Sequence, residues 1–139
     1  MVGGLKYLLN TNIILELLLE QEQAEPVARW LRQTPPELLH LSEFSLYSLG
    51  VILIRLKLPD VSVVAVNDLL ASGYLSLVRL TPEDMSRVAE AAREFSLDFD
   101  DAYQYVAAER FDLALLSFDH DFDRTDRGRT TLTEVMEGK

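Results

Sequence analysis

Apolar residues in this chain alternate between short unbroken runs and runs spaced by three and four positions. Leu5 to Leu9 is a short apolar run after Gly3 and Gly4, which predicts a buried strand. Asn10, Thr11 and Asn12 follow, all helix-capping types, and Ile13, Ile14, Leu17 and Leu18 then repeat at helical spacing. Pro26 opens a second helix with Val27, Trp30 and Leu31 on one face, and Pro35 and Pro36 end it. Leu38 to Leu41 reads as a second strand. Ser42 then caps a helix to about Leu56, with Phe44, Leu46, Leu49, Leu53 and Leu56 available for a core. A helix from Pro59 to near Gly73 leads to a third strand, Leu75 to Leu80. Thr81-Pro82-Glu83-Asp84 combines a cap, a proline and first-turn acids, and starts a helix running to about Phe95. Asp100 and Asp101 precede a helix ending near Arg110. Leu113 to Leu116 is a fourth strand, Ser117 to Asp126 an acidic loop, and a short strand or helix closes the chain.

Strands alternating with helices predict an α/β fold: a central, mostly parallel sheet of four or five strands with helices on both faces. Ligands of such sheets bind outside the carboxyl ends of the strands. That directs attention to Asn10–Asn12, Ser42–Ser48 and Ser117–Asp121, joined by the helix start at Asp98–Asp101.

Composition narrows the chemistry. The 139 residues suit one compact domain spanning 1–139. With no cysteine, disulfides, thiolate metal sites and cysteine nucleophiles are excluded, and a reducing cytoplasm is expected. Lys6 is the only early basic residue and no apolar stretch nears the roughly 20 residues of a membrane span, so a soluble, cytoplasmic protein without membrane contact is expected. Thirteen Lys and Arg stand against 23 Asp and Glu, a net charge of −10, which disfavours avid binding of phosphate backbones. The same balance is compatible with carboxylates that hold divalent cations, because bound metal inverts the local field.

Nine acids fall between Asp98 and Asp126, opposed only by Arg110 and Arg124. Carboxylates gathered at a strand-end rim repel one another unless cations lie between them, and oxygen ligands suit Mg²⁺ or Mn²⁺. Each segment also has a plain reading: Asp100 or Asp101 as a helix cap, Asp119 to Asp126 as a solvated turn, Asn10 and Thr11 as caps. An EF-hand starting at Asp119 fails at Arg124 and Thr130. His40 and His120 make no zinc motif, and neither a serine triad nor a glycine-rich phosphate loop is present.

Three segments together resemble the PIN domain family: Tyr7-Leu8-Leu9-Asn10-Thr11-Asn12-Ile13-Ile14, Asp98-Phe99-Asp100-Asp101-Ala102 leading into Tyr105-Val106-Ala107-Ala108-Glu109, and Leu115-Leu116-Ser117-Phe118-Asp119-His120-Asp121-Phe122. The resemblance implies a three-layer sandwich and a four-acid metal site. Asp101 and Asp119 fall on its third and fourth acid positions, Asn10 on the first, normally Asp, and Ser48 on the second, normally Glu. Glu43, Asp100 and Asp121 are alternative sources of the missing acid. Thr11 and Ser117 match small hydroxyl positions that order water or phosphate, and Arg124, with Arg127 and Arg129, forms a basic cluster that could meet phosphate.

Asn10 keeps an oxygen ligand but loses a charge. The resemblance therefore leaves open a natural variant, a degenerate binding domain, or an inactivated form. It implies a Mg²⁺- or Mn²⁺-dependent endoribonuclease like the VapC toxins of toxin–antitoxin pairs, with RNA as substrate and an antitoxin protein as partner. The alternative is a non-catalytic PIN module that binds protein. A haloacid-dehalogenase-type phosphotransferase is disfavoured, because Asn10 and Asn12 put amides at both nucleophile positions. Asn10, Asp101 and Asp119 are expected to converge within roughly 8 Å at one end of the sheet. Phe44, Tyr47 and Val51 offer apolar surface beyond what the core needs, which predicts a homodimer or a bound partner.

Overall fold

The computed structural model describes residues 5–71 and 73–137. Four strands form its sheet: β1 (Tyr7–Leu9), β2 (Leu39–Ser42), β3 (Ser76–Val78) and β4 (Ala114–Leu116). Seven α-helices surround it: α1 (Thr11–Leu18), α2 (Ala24–Gln33), α3 (Glu43–Arg55), α4 (Pro59–Val66), α5 (Met85–Phe95), α6 (Phe99–Phe111) and α7 (Leu132–Glu137). The strand order is β3-β2-β1-β4, and every pairing is parallel. Tyr7 lies opposite both Leu39 and Ala114, and Leu9 opposite both Leu41 and Leu116, so β1 is sandwiched between β2 and β4. A single parallel bridge between Leu116 and Thr130 extends the sheet beyond β4.

The period-two alternation of strands sorts their side chains into two cores. Leu8 and Leu115 point to one face, where they pack with Val88, Ala91 and Phe95 of α5 and with Tyr105, Val106 and Ala107 of α6. Leu9, Leu39, Leu41 and Leu116 point to the other, against Ile13 and Ile14 of α1, Val27, Trp30 and Leu31 of α2, and Leu132 of α7. The result is the three-layer α/β/α sandwich with a parallel sheet that the alternation of elements predicts. Across the first core, Arg87 of α5 grips Glu109 of α6 with two hydrogen bonds of 2.9 and 3.0 Å.

Some boundaries differ from expectation for local reasons. Regular pairing of β3 stops at Val78, because the Leu80 N–H turns away to donate to the Tyr103 hydroxyl at 2.9 Å. The helix after Pro59 stops at Val66 and continues as a π turn over Asn67–Ala71, short of Gly73. At the Thr81 start, the cap and proline set one 3₁₀ turn before α5, with the Asp84 carboxylate accepting from the Thr81 N–H at 2.8 Å. The cap of α6 is neither Asp100 nor Asp101 but Asp98, whose carboxylate accepts from the Asp101 N–H at 2.9 Å.

Strand order reverses at β1: the chain steps from β1 to β2 to β3 on one side and returns to place β4 on the other. The crevice beyond the carboxyl ends of β1 and β4 is therefore the place where this architecture binds ligands.

Candidate metal centre

Each strand of the crevice ends on a polar residue that starts the next turn. Asn10, directly after β1, caps α1: its side-chain oxygen accepts from the Asn12 N–H at 3.1 Å, and its own N–H donates to the Leu116 carbonyl at 2.9 Å. Ser42 ends β2 and caps α3 through the Ser45 N–H at 3.0 Å. Ser117 follows β4, and its hydroxyl accepts from the Asp119 N–H at 2.9 Å. The Asp119 carboxylate in turn accepts from the Asp121 N–H at 2.8 Å, which bends the chain into a short 3₁₀ turn, His120–Arg124. Asn12 ties the two loops together. Its amide nitrogen donates to Ser117 Oγ and its oxygen accepts from the Phe118 N–H, both at 3.4 Å.

This folding brings a carboxylate oxygen of each of Asp101, Asp119 and Asp121 within 4.8 Å of the others. Asp101 comes from the first turn of α6 and the other two from the turn after β4. Asp121 has a cationic partner, Arg124, at 3.0 Å. Among the described residues, Asp101 and Asp119 have none. Burial first, and then the charges of Asp98, Asp119, Asp100 and Asp121, push the Asp101 carboxyl up to about 7. Burial and the Asp98 charge push Asp100 up as well, partly offset by a hydrogen bond with Gln104. Three hard oxygen donors, crowded and under-compensated, fit a divalent cation of the alkaline-earth type better than a zinc ion.

The other expected site residues divide. Asn10 is buried at the end of β1, one step from Ser117 across the sheet, with its oxygen engaged as a cap. Glu43 is not one of the three clustered acids and pairs with Arg79 at 3.9 Å. Ser48 lines a groove of about 300 Å³ together with Thr11 and Asp100. Both expected phosphate-ordering hydroxyls are spent inside the fold: Thr11 donates to Ser45 Oγ at 2.8 Å, and Ser117 is fully buried.

The arginines of the expected basic cluster each hydrogen-bond within the fold. Arg124 donates to the carbonyls of Phe95 and Ser96 at 3.0 and 2.7 Å, neutralising the exposed carbonyls at the end of α5. Arg127 reaches the Leu113 carbonyl at 3.1 Å. Arg129, nearly buried, donates to the Ser117 carbonyl and to Asp123, both at 3.0 Å. Arg124 and Arg129 brace the acidic turn.

Residues that sequence reasoning passed over hold the floor of the crevice. Ser45 Oγ is the hub of a buried network, 2.8 Å from Thr11 Oγ1, 3.2 Å from Ser42 Oγ and 2.7 Å from Gln104 Nε2. It joins the first turns of α1 and α3 to the second turn of α6. The available signal was Gln104 itself, a polar residue inside the buried run Ala102–Ala108 and one turn after Asp100.

An all-parallel sandwich with an acidic centre at the switch point defines an α/β protein built to place carboxylates at strand ends. The chain matches the PIN domain family over residues 7–128, and it belongs to that family. Its fold is similar to that of a toxin–antitoxin complex from Klebsiella pneumoniae, with a TM-score of 0.71 and 16% identity over 91% of this chain and 98% of that one. A protein of Pyrobaculum aerophilum superposes with a TM-score of 0.67 and 21% identity, covering 95% and 88% of the two chains. A chain of FitAB bound to a DNA fragment gives 0.70 and 19%, covering 91% and 94%. No curated protein matches the sequence.

Proposed function

We propose that this protein is a divalent-metal-dependent endoribonuclease that hydrolyses RNA phosphodiester bonds and acts in the cytoplasm as the toxin of a toxin–antitoxin pair. The observation that carries this reading is the approach of the Asp101, Asp119 and Asp121 carboxylates to within 4.8 Å in a PIN domain. Asp101 and Asp119 would hold Mg²⁺ or Mn²⁺, with Asn10 as an uncharged oxygen donor on the β1 side. The cation would supply neutralisation of phosphate charge and activation of water. The chain's own work is positional: Asn12 and Ser117 fix the loop bearing Asp119, Arg129 holds that loop on β4, and the Asp98 cap holds Asp101 in the first turn of α6. Thr11 and Ser117 support the centre from within the fold, and Arg124, half exposed beside the acidic turn, is a candidate contact to RNA phosphate. The loss of a charge at Asn10 and of an acid at Ser48 makes this a weak nuclease.

Cleavage of single-stranded and structured RNA with Mn²⁺, beside Asp101→Asn and a metal-free control, tests the reading. Cleavage that depends on both the metal and Asp101 supports it. Binding of Mn²⁺ with no cleavage of any RNA moves the function to the second reading.

That second reading, a non-catalytic PIN module acting through protein binding, rests on one surface. Tyr47, Val51 and Ile54 recur at helical spacing along α3, and Val63 and Val64 of α4 are also exposed, with Tyr47 and Ile54 61% and 62% accessible. Phe44, expected both in the core and on this surface, is half-buried: it packs against Tyr103 and lines a groove with Tyr47 and Val51. An apolar stripe of this kind suits a second copy of the chain or an antitoxin. It serves the toxin reading equally.

A further inference from the structure

Three aromatic rings meet beside the acidic crevice. Phe44, in the first turn of α3, lies 5.6 Å from Phe99 and 5.4 Å from Tyr103 between ring centroids, and Phe99 lies 6.1 Å from Tyr103. Phe99 and Tyr103 stand one turn apart on the same face of α6. Tyr103 is buried, and its hydroxyl accepts from the Leu80 N–H at 2.9 Å, which fastens this face of α6 to the chain leaving β3. Phe99 is 51% exposed. Core packing accounts for Tyr103 and leaves Phe99 as a braced ring open to solvent.

The ring borders the metal centre. Asp101 is two residues further along α6, so its side chain leaves the helix on nearly the opposite side, where it meets Asp119 and Asp121. The first turn of α6 thus separates the acidic trio from the ring by about 10 Å, the width of a helix. Phe44 also lines the groove shared by Thr11, Ser48 and Asp100, which makes the aromatic ledge continuous with the crevice. Beyond β3, the Arg79 side chain is 69% exposed, and its guanidinium lies 3.9 Å from Glu43, the neighbour of Phe44.

Charge decides what can cover the ring. A docked protein face would take the carboxylates of Asp98 and Asp100, on either side of Phe99 in the chain, out of water. Neither has a cationic partner among the described residues, so that burial is costly. A stacked base covers the ring alone and leaves those groups hydrated. With a net charge of −10 the chain gains little affinity from phosphate contacts, whereas stacking on an aromatic face needs no charge.

We infer that Phe99, braced by Phe44 and Tyr103, stacks on an unpaired base of an RNA strand whose phosphate lies at the metal centre, with Arg79 meeting a phosphate further along the strand. The inference rests on the ribonuclease reading above, and it makes single-stranded RNA the preferred substrate.

Trp30 is the single tryptophan and is buried in the opposite core, so Phe99→Trp adds an exposed indole whose emission reports stacking. In the full chain, Phe99→Trp should be quenched by a single-stranded RNA and by neither a duplex of the same sequence nor an abasic strand. Phe99→Ala should weaken single-strand binding about 5–140-fold, the loss of one base–aromatic stack, and leave Mn²⁺ binding unchanged. Phe99→Tyr should restore the RNA affinity. Arg79→Gln should weaken single-stranded and abasic strands alike and reduce the slope of log K against log salt by about 0.7. Equal quenching by duplex and single strand, or RNA binding unchanged by Phe99→Ala, overturns the inference, and metal-dependent cleavage by the parent then leaves the proposed function standing. Phe99→Ala that dissociates the chain while binding RNA normally also overturns it and gives the ring to a protein partner. A parent that neither binds nor cleaves RNA overturns both.

Discussion

A carboxylate oxygen of Asp101 lies within 4.8 Å of one from Asp119, although the first belongs to the opening turn of α6 and the second to the turn beyond β4. No arginine or lysine among the described residues stands between them. The two acids are held together by backbone: the Asp98 cap fixes one and the Ser117 hydroxyl the other. Their mutual repulsion is part of the folded state, and it makes the following behaviour measurable.

Stability should fall as pH rises from about 4 to about 7. The folded chain keeps the Asp101 proton up to about pH 7, whereas the unfolded chain releases it near the ordinary value of 3.8. Between those limits the folded state binds more protons, so raising the pH favours unfolding, and above about 7 this slope disappears. Asp100, pushed the same way, adds to it. Thermal melts of metal-free protein between pH 5 and 8 should show the slope, Asp101→Asn should flatten it, and Mn²⁺ should reverse it by binding only the folded form. Identical slopes in parent and variant would remove the electrostatic argument for the centre.

Asn10→Asp should tighten Mn²⁺ binding and raise RNA cleavage. The carboxylate keeps the cap on the Asn12 N–H and adds a charge to a buried strand end. Without metal the extra repulsion should cost on the order of 1 kcal/mol, lowering the melting temperature by about 4 °C in a chain of this size. Melts with and without Mn²⁺ separate the two effects. Unchanged affinity, melting and cleavage together would show that position 10 lies outside the centre.

Arg129→Met should destabilise the chain by about 2–3 kcal/mol, the range for hydrogen bonds to charged groups when a partner is left behind. The guanidinium is nearly buried and links Asp123, His120 and the Ser117 carbonyl. Urea denaturation measures the loss. Faster hydrogen exchange confined to residues 117–124 would locate it in the turn that carries Asp119. A variant as stable as the parent would mean that the turn is held by Ser117 and Asn12 alone.

Ile54→Glu should abolish self-association or partner binding while changing stability by less than about 0.5 kcal/mol, because the side chain is exposed in the single chain. Analytical ultracentrifugation at micromolar concentrations should show the parent as a dimer and the variant as a monomer. A parent that is monomeric throughout would leave the apolar face of α3 and α4 to a different protein.

The sequence by itself determined what depends on neighbours along the chain. Apolar runs followed by Asn10, Ser42 and Ser117 marked where strands stop and turns begin, because a side chain capping a helix needs a donor only two or three residues away. The alternation of those elements was enough to predict a parallel sandwich. The tertiary structure alone decided which charges meet. It drew Glu43 to Arg79, spent Arg124 on the end of α5, added Asp121 to Asp101 and Asp119, and left Asp100 facing Ser48 across a groove. The physical reason is range: a cap is a contact within one turn, whereas the partner of a carboxylate is chosen by strand order and helix packing, and these bring together residues far apart in the chain.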